Sequence, residues 1–144
     1  MNLTQIRERF EDYIRRFNAK DMTAFEEYIA TDMKMMNGTL EFEGVQGMKE
    51  HYDKIWKSFD EILTVKRFVA DEHHIAIEMW AHFIALNDDA NTLFGAVKAG
   101  ETFDFQGLIF YDLEKGKFFQ IKVAYNRFIF TNQHGEQTNL GIPH

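Results

Sequence analysis

The chain of 144 residues contains no cysteine. That excludes disulfides, a thiol nucleophile and any cysteine-rich metal site. Cationic side chains are in deficit, 16 Lys and Arg against 23 Asp and Glu, for a formal net charge of -7. A chain of that sign repels phosphate backbones, so nucleic acid is not an expected partner. No run of ~18 apolar residues occurs, and no membrane-spanning helix is expected. The first residues, Met1-Asn-Leu-Thr-Gln-Ile-Arg-Glu-Arg9, lack the apolar stretch of a secretory leader, so a cytoplasmic location is expected. Metal-ligand spacings are missing too, with no His-x-His and no Glu-x-x-His. The adjacent His73 and His74 would point to opposite sides of a strand, which is awkward for a shared ion. No metal and no cofactor are expected.

What is abundant is apolar and aromatic volume. Hydrophobic residues make up 45% of the chain and aromatics 15%, with 15 Phe. This length suits one domain, and the aromatic excess suits a sheet packed on helices or around an apolar cavity. Thr4 can cap a first helix, along which Ile6, Phe10, Tyr13, Ile14 and Phe17 recur at helical spacing. Asp21 can cap a short second helix that turns Met22, Phe25 and Ile29 inward. Met33 to Met36 and Leu40 to Phe42 read as a strand pair turned at Asn37-Gly38, a dipeptide that accepts positive φ cheaply. A third helix follows Gly44 and buries Met48, Tyr52, Ile55, Trp56 and Phe59.

The remainder reads as strands over 62–69, 74–86, 102–111 and 118–130, with a polar loop over 87–98. Gly107 marks a bend or bulge inside its strand. Residues 1–135 form one domain in this reading, and 136–144 a polar tail. Helices followed mainly by antiparallel strands make an α+β layout.

Several segments, taken in order, resemble the SnoaL-like branch of the NTF2-like superfamily. They are Tyr13-Ile-Arg-Arg-Phe17-Asn-Ala-Lys-Asp21 near the start, Ala99-Gly-Glu-Thr102, Gly116-Lys-Phe118, Val123-Ala-Tyr125-Asn126 and Gln133-His-Gly135. The likeness runs from about Thr4 to Gly135. It implies a cone of three N-terminal helices packed on a strongly curved, mainly antiparallel six-stranded sheet, with a pocket inside. Asn126 stands where SnoaL-type cyclases carry an Asp that acts as general acid or base. Ketosteroid isomerase relatives use a helix-one Tyr, matched by Tyr13, with an Asp base near Asn37 and a strand acid near Gln106. One of those three roles survives, so isomerisation by the same groups is not implied.

The residues themselves offer other candidates. Tyr13 could donate to a ligand oxygen, or be a core aromatic with a tied hydroxyl. Asp104 shares strand parity with Gln106; facing an apolar cavity it would be a base of raised pKa, and at the mouth merely a solvated carboxylate. His82 is a proton-transfer candidate near neutral pH, or a histidine in an interface or a polar contact. Glu78, four residues earlier, would lie ~13 Å away along the strand, too far for a dyad. If Gln106 and Asp104 face inward, Phe103, Phe105, Ile109 and Tyr111 share the outer face, and a homodimer through that face is expected.

Three functions stay open. The pocket could hold a small apolar or carbonyl-containing molecule, with Tyr13, Asn37, Trp56, Gln106 and Asn126 as its binding residues. It could be an enzyme of isomerase or cyclase type, acting by proton transfer on a small apolar carbonyl or polyketide-like substrate through Tyr13, His82 and Asp104. It could also be vestigial in a dimeric interaction module.

Overall fold

The computed structural model describes residues 1–141, so the end of the expected tail, 142–144, lies outside the described residues. Three helices come early: α1 Leu3–Asn18, α2 Thr23–Tyr28 and α3 Gly44–Ser58. Asn2, not Thr4, caps α1. Its side chain accepts from the Gln5 amide at 2.9 Å, and the Gln5 side chain accepts from the Asn2 amide at 3.0 Å. This reciprocal pair satisfies two amides that would otherwise lack partners. Asp21 lies one residue before the cap of α2, which is Met22, though its carboxylate does accept from the Thr23 amide at 3.0 Å.

The strands are β1 Ile29–Asn37, β2 Leu40–Glu43, β3 Phe59–Ala70, β4 His74–Ala85, β5 Asp89–Thr92, β6 Gly95–Val97, β7 Thr102–Glu114, β8 Lys117–Thr131 and β9 Gln137–Asn139. The main sheet runs β2-β1-β8-β7-β4-β3, and β9 pairs with β8 as a seventh strand. All its pairings are antiparallel except β1 with β8. The expected six strands are therefore the main path, and part of the expected tail adds another. The Asn37-Gly38 turn forms as read, with Asn37 opposite Leu40 and Gly38 at φ 62°. The 87–98 segment is not a bare loop. It folds into the separate β5–β6 hairpin.

The three helices pack into the concave side of this sheet. Ile6, Phe10, Tyr13, Ile14 and Phe17 form the buried stripe of α1, and they meet inward residues of every long strand. The inward set on β7 is Phe103, Phe105, Ile109 and Tyr111. This reverses the expected faces: Phe103 is 3% exposed and Tyr111 2% exposed. Those side chains are core, so they cannot supply an outer dimer surface. The period-two alternation holds, with its inner and outer sides exchanged.

Gly107 is a point of close approach. The β7–β8 register shifts there, from Gln106 opposite Arg127 to Gly107 opposite Tyr125. A Cβ on Gly107 would sit 2.3 Å from the Tyr125 Cα, a contact only glycine avoids. Asn126 is the extra residue of this bulge and is exposed.

Candidate functional site

A cavity of about 110 Å³ lies between the helices and the sheet. That is the size of a space for one small ring, and well under the ~300 Å³ of a typical drug-sized site. Its walls are mostly apolar, with Phe17, Met35, Leu63, Met79, Phe105 and Ile121 among them. The β5–β6 hairpin covers one side with Leu93 and Phe94. Phe94 is stacked on Phe103, with ring centroids 4.6 Å apart. Asp89, at the root of the hairpin, accepts from the Ser58 hydroxyl at 3.0 Å and so ties it to the end of α3.

Few polar groups enter this space. Tyr13 arrives from α1, Tyr52 from α3, Tyr111 from β7 and Tyr125 from β8. None of the four hydroxyls has a protein hydrogen-bond partner among the described residues, where no fully sealed side-chain polar atom lacks one. The four phenols thus reach open cavity space, where they can donate to a bound oxygen. Burial holds Tyr13, Tyr52 and Tyr111 well above the ordinary tyrosine pKa, so these stay protonated as donors.

The central acid is Glu61 on β3. It is 5% exposed and faces inward between Phe59 and Leu63. Its Oε1 accepts from the Trp56 indole N–H at 3.2 Å. Burial pushes the carboxyl up to about 8, against the opposing effects of the Trp56 bond and the Lys20 charge. A carboxyl near that value can give or take a proton close to neutral pH. His51 of α3 also lines the cavity, and burial together with Lys54 pushes it down to about 4. It is therefore a neutral imidazole at pH 7, packed on Phe42 at 4.9 Å between ring centres.

The structure sorts the sequence candidates. Tyr13 and Asn37 line the cavity. Trp56 stands behind the wall, touching the site through its bond to Glu61. Gln106, His82 and Asp104 project from the opposite, convex face, where Trp80 and Gln106 are partners and His82 lies opposite Asp104. There the Asp104 carboxylate accepts from the Trp80 indole at 2.6 Å and meets His82 Nδ1 at 2.6 Å. His82 and Asp104 are brought together, but away from the cavity. Asn126 is displaced outward by the bulge.

Glu61 was missed because the strand was read as starting at Ile62. Extending it back three residues aligns Phe59, Glu61 and Leu63 on one face, a signal present in the sequence. The sequence pattern marks Tyr52 only as a buried residue of α3 and assigns Tyr111 to the outer face, whereas both line the cavity. Among the described residues no group of three His, Asp or Glu side chains converges as a metal site.

The profile of the family described as "SnoaL-like domain" matches residues 10–121. A search of the curated proteins found no match. Among solved structures, a candidate polyketide cyclase from Xanthomonas campestris pv. campestris is 20% identical, with a TM-score of 0.74 over 88% of this chain and 93% of that one. A candidate polyketide cyclase from Pseudomonas putida KT2440 is 25% identical, with a TM-score of 0.66 over 83% and 90%. An LEH-like epoxide hydrolase from M. tuberculosis is 11% identical, with a TM-score of 0.68 over 85% and 83%.

Proposed function

Because the chain belongs to the family of SnoaL-like domains, we propose that its cavity takes up one small, mostly apolar, carbonyl-bearing molecule and that Glu61 exchanges a proton with it. The fold supports small-molecule binding or isomerase and cyclase chemistry. The observation that carries the finer reading is Glu61, a carboxyl that burial pushes up to about 8 inside an apolar cavity lined also by four phenols with no partner among the described residues. Near neutral pH the protonated acid is the major form and the carboxylate the minor one.

In that form Glu61 removes a proton from the carbon beside the carbonyl. The electron pair left behind moves onto the carbonyl oxygen. A hydroxyl of Tyr13, Tyr52 or Tyr111 donates to that oxygen as its charge develops. Neutral Glu61 then returns the proton to the same carbon or to a conjugated one, which completes an exchange or an isomerisation. His82 and Asp104 have no part in this step, since they project from the other side of the sheet.

The test uses 2-cyclohexen-1-one as probe in deuterated buffer. Thermal shift reads binding, and NMR reads deuterium uptake. Uptake above the buffer rate is expected, falling ~100-fold or more in Glu61→Gln, the usual loss for a missing general acid or base. Binding of the probe with no catalysed uptake would leave a binding protein and end the proton-transfer reading.

A second observation favours assembly through the convex face. Trp80, Ile84, Leu108 and Phe110 are large apolar side chains, 36–59% exposed, on the outward sides of β4 and β7. A face of that kind needs cover, and a second copy of the chain is the occupant we propose. Light scattering should give about twice 17.0 kDa. A monomer at micromolar concentration would refute it.

A further inference from the structure

The end of α1 adopts a conformation that glycine would take more cheaply. Lys20 has φ 61°. Its amide donates to the Phe17 carbonyl at 3.0 Å, and the Asp21 amide donates to the Arg16 carbonyl at 2.9 Å. This pair of bonds closes a helix on a left-handed residue, a position where glycine is the usual choice. A residue with a Cβ costs about 1–2 kcal/mol there. A lysine held at that cost points to work done by its side chain.

The Lys20 ammonium turns back under β3. It donates to the Glu61 carbonyl oxygen and, at 3.2 Å, to the Asn18 carbonyl oxygen. It pairs with Asp60 at 2.9 Å, its side chain only 25% exposed. It also lies 5.6 Å from the centre of the Trp56 ring. That same indole donates to the Glu61 carboxyl, and among the described residues no other group does so. One ammonium therefore fixes both the backbone that carries Glu61 and the donor that orients its carboxyl.

We propose that Lys20 is a positioning residue for Glu61, holding the Trp56 indole and the start of β3 so that its positive charge faces the carboxyl from behind the cavity wall. The inference rests on the reading of Glu61 as the proton-transfer group. The other titratable groups around Glu61 are Tyr13 from α1, Tyr52 and His51 from α3, Tyr111 from β7, Tyr125 from β8 and Asp60 beside it in β3. Tyr13, Tyr52, Tyr111 and His51 are neutral at pH 7, and Asp60 is already paired with Lys20. Lys20 is the cation that opposes the effect of burial on Glu61. Without it, the carboxyl would meet burial with only the Trp56 bond to favour its charge.

The experiment follows the Glu61 side-chain carboxyl by ¹³C NMR against pH, with Glu61→Gln to assign the signal. It compares the wild-type chain with Lys20→Met, Lys20→Gly and Lys20→Arg. In the wild type the midpoint should fall near 8. It should rise by about one pH unit in Lys20→Met and Lys20→Gly, the scale of a lost neighbouring charge. Lys20→Arg should return it most of the way. The pH midpoint of deuterium uptake by 2-cyclohexen-1-one should move in the same direction. Lys20→Gly relaxes the backbone, so it keeps the test available if Lys20→Met folds poorly. A lysine that merely ties α1 to β3 would change the melting temperature and leave the midpoint in place, which would overturn the proposal. A wild-type midpoint in the ordinary carboxylate range would instead overturn the reading of Glu61, and the role of Lys20 with it.

Discussion

Replacing Glu61 by Gln should stabilise the protein, and increasingly so as pH rises. Burial lifts the folded-state carboxyl to about 8 from an ordinary value of 4.5. Between those values the folded state holds a proton that the unfolded chain has released. Stability therefore falls as pH rises through that window and levels off above it. One pH unit of such a difference is worth about 1.4 kcal/mol, which makes the loss about 4 kcal/mol between pH 5 and pH 9. Gln keeps the shape and can still accept from the Trp56 indole, but it carries no charge to bury. His51 acts in the opposite direction. Held down at about 4, it contributes stability above pH 6.5 that is lost on acidification. In the wild type the two slopes oppose each other between about pH 4.5 and 6.5. The difference between wild type and Glu61→Gln removes the His51 contribution and isolates Glu61. Urea unfolding of both proteins at half-unit steps from pH 5 to 9 measures it. A difference that stays flat across this range would mean that Glu61 ionises freely in the folded state. That would refute both the burial argument and the proton-transfer role built on it.

Gly107→Ala should cost about 3 kcal/mol in urea unfolding, because its Cβ would meet the Tyr125 Cα and the Ala124 carbonyl oxygen, backbone atoms that cannot rotate away. A loss under half that size would mean the β7–β8 bulge relaxes readily. Tyr13→Phe should leave the melting temperature nearly unchanged, since the hydroxyl has no partner among the described residues, while slowing deuterium uptake by the cyclohexenone probe about tenfold. Equal uptake in the variant would show that this phenol does not hold the oxygen. His82→Ala and Asp104→Asn should both leave uptake at the wild-type rate, and a large loss in either would return catalysis to the convex face.

The helices and the order of strands were legible because their signals are local. The apolar residues from Ile6 to Phe17 repeat at the pitch of a helix, and the same five residues are buried. Asn37-Gly38 carries its own turn, since positive φ at Gly38 needs no help from the rest of the chain. Gly107 could be recognised as a bend from its place inside a strand. The consequence of that bend for Asn126 could not, because it depends on which partner strand takes the extra residue.

The β7 alternation likewise divides Phe103, Phe105, Ile109 and Tyr111 from Asp104, Gln106 and Leu108, yet it contains nothing that tells the concave side from the convex one. That choice belongs to the helices, whose aromatic stripe needs an aromatic counterpart. Placing Gln106 inward by resemblance went against it. Glu61 shows the same division at a single residue. Its parity with Phe59 and Leu63 is written in the chain, but a carboxyl acquires an unusual affinity for its proton only when distant segments remove water from around it. Tyr13 and Lys20 come from α1 and its end, Tyr52 and Trp56 from α3, and only the tertiary fold brings them to that one carboxyl.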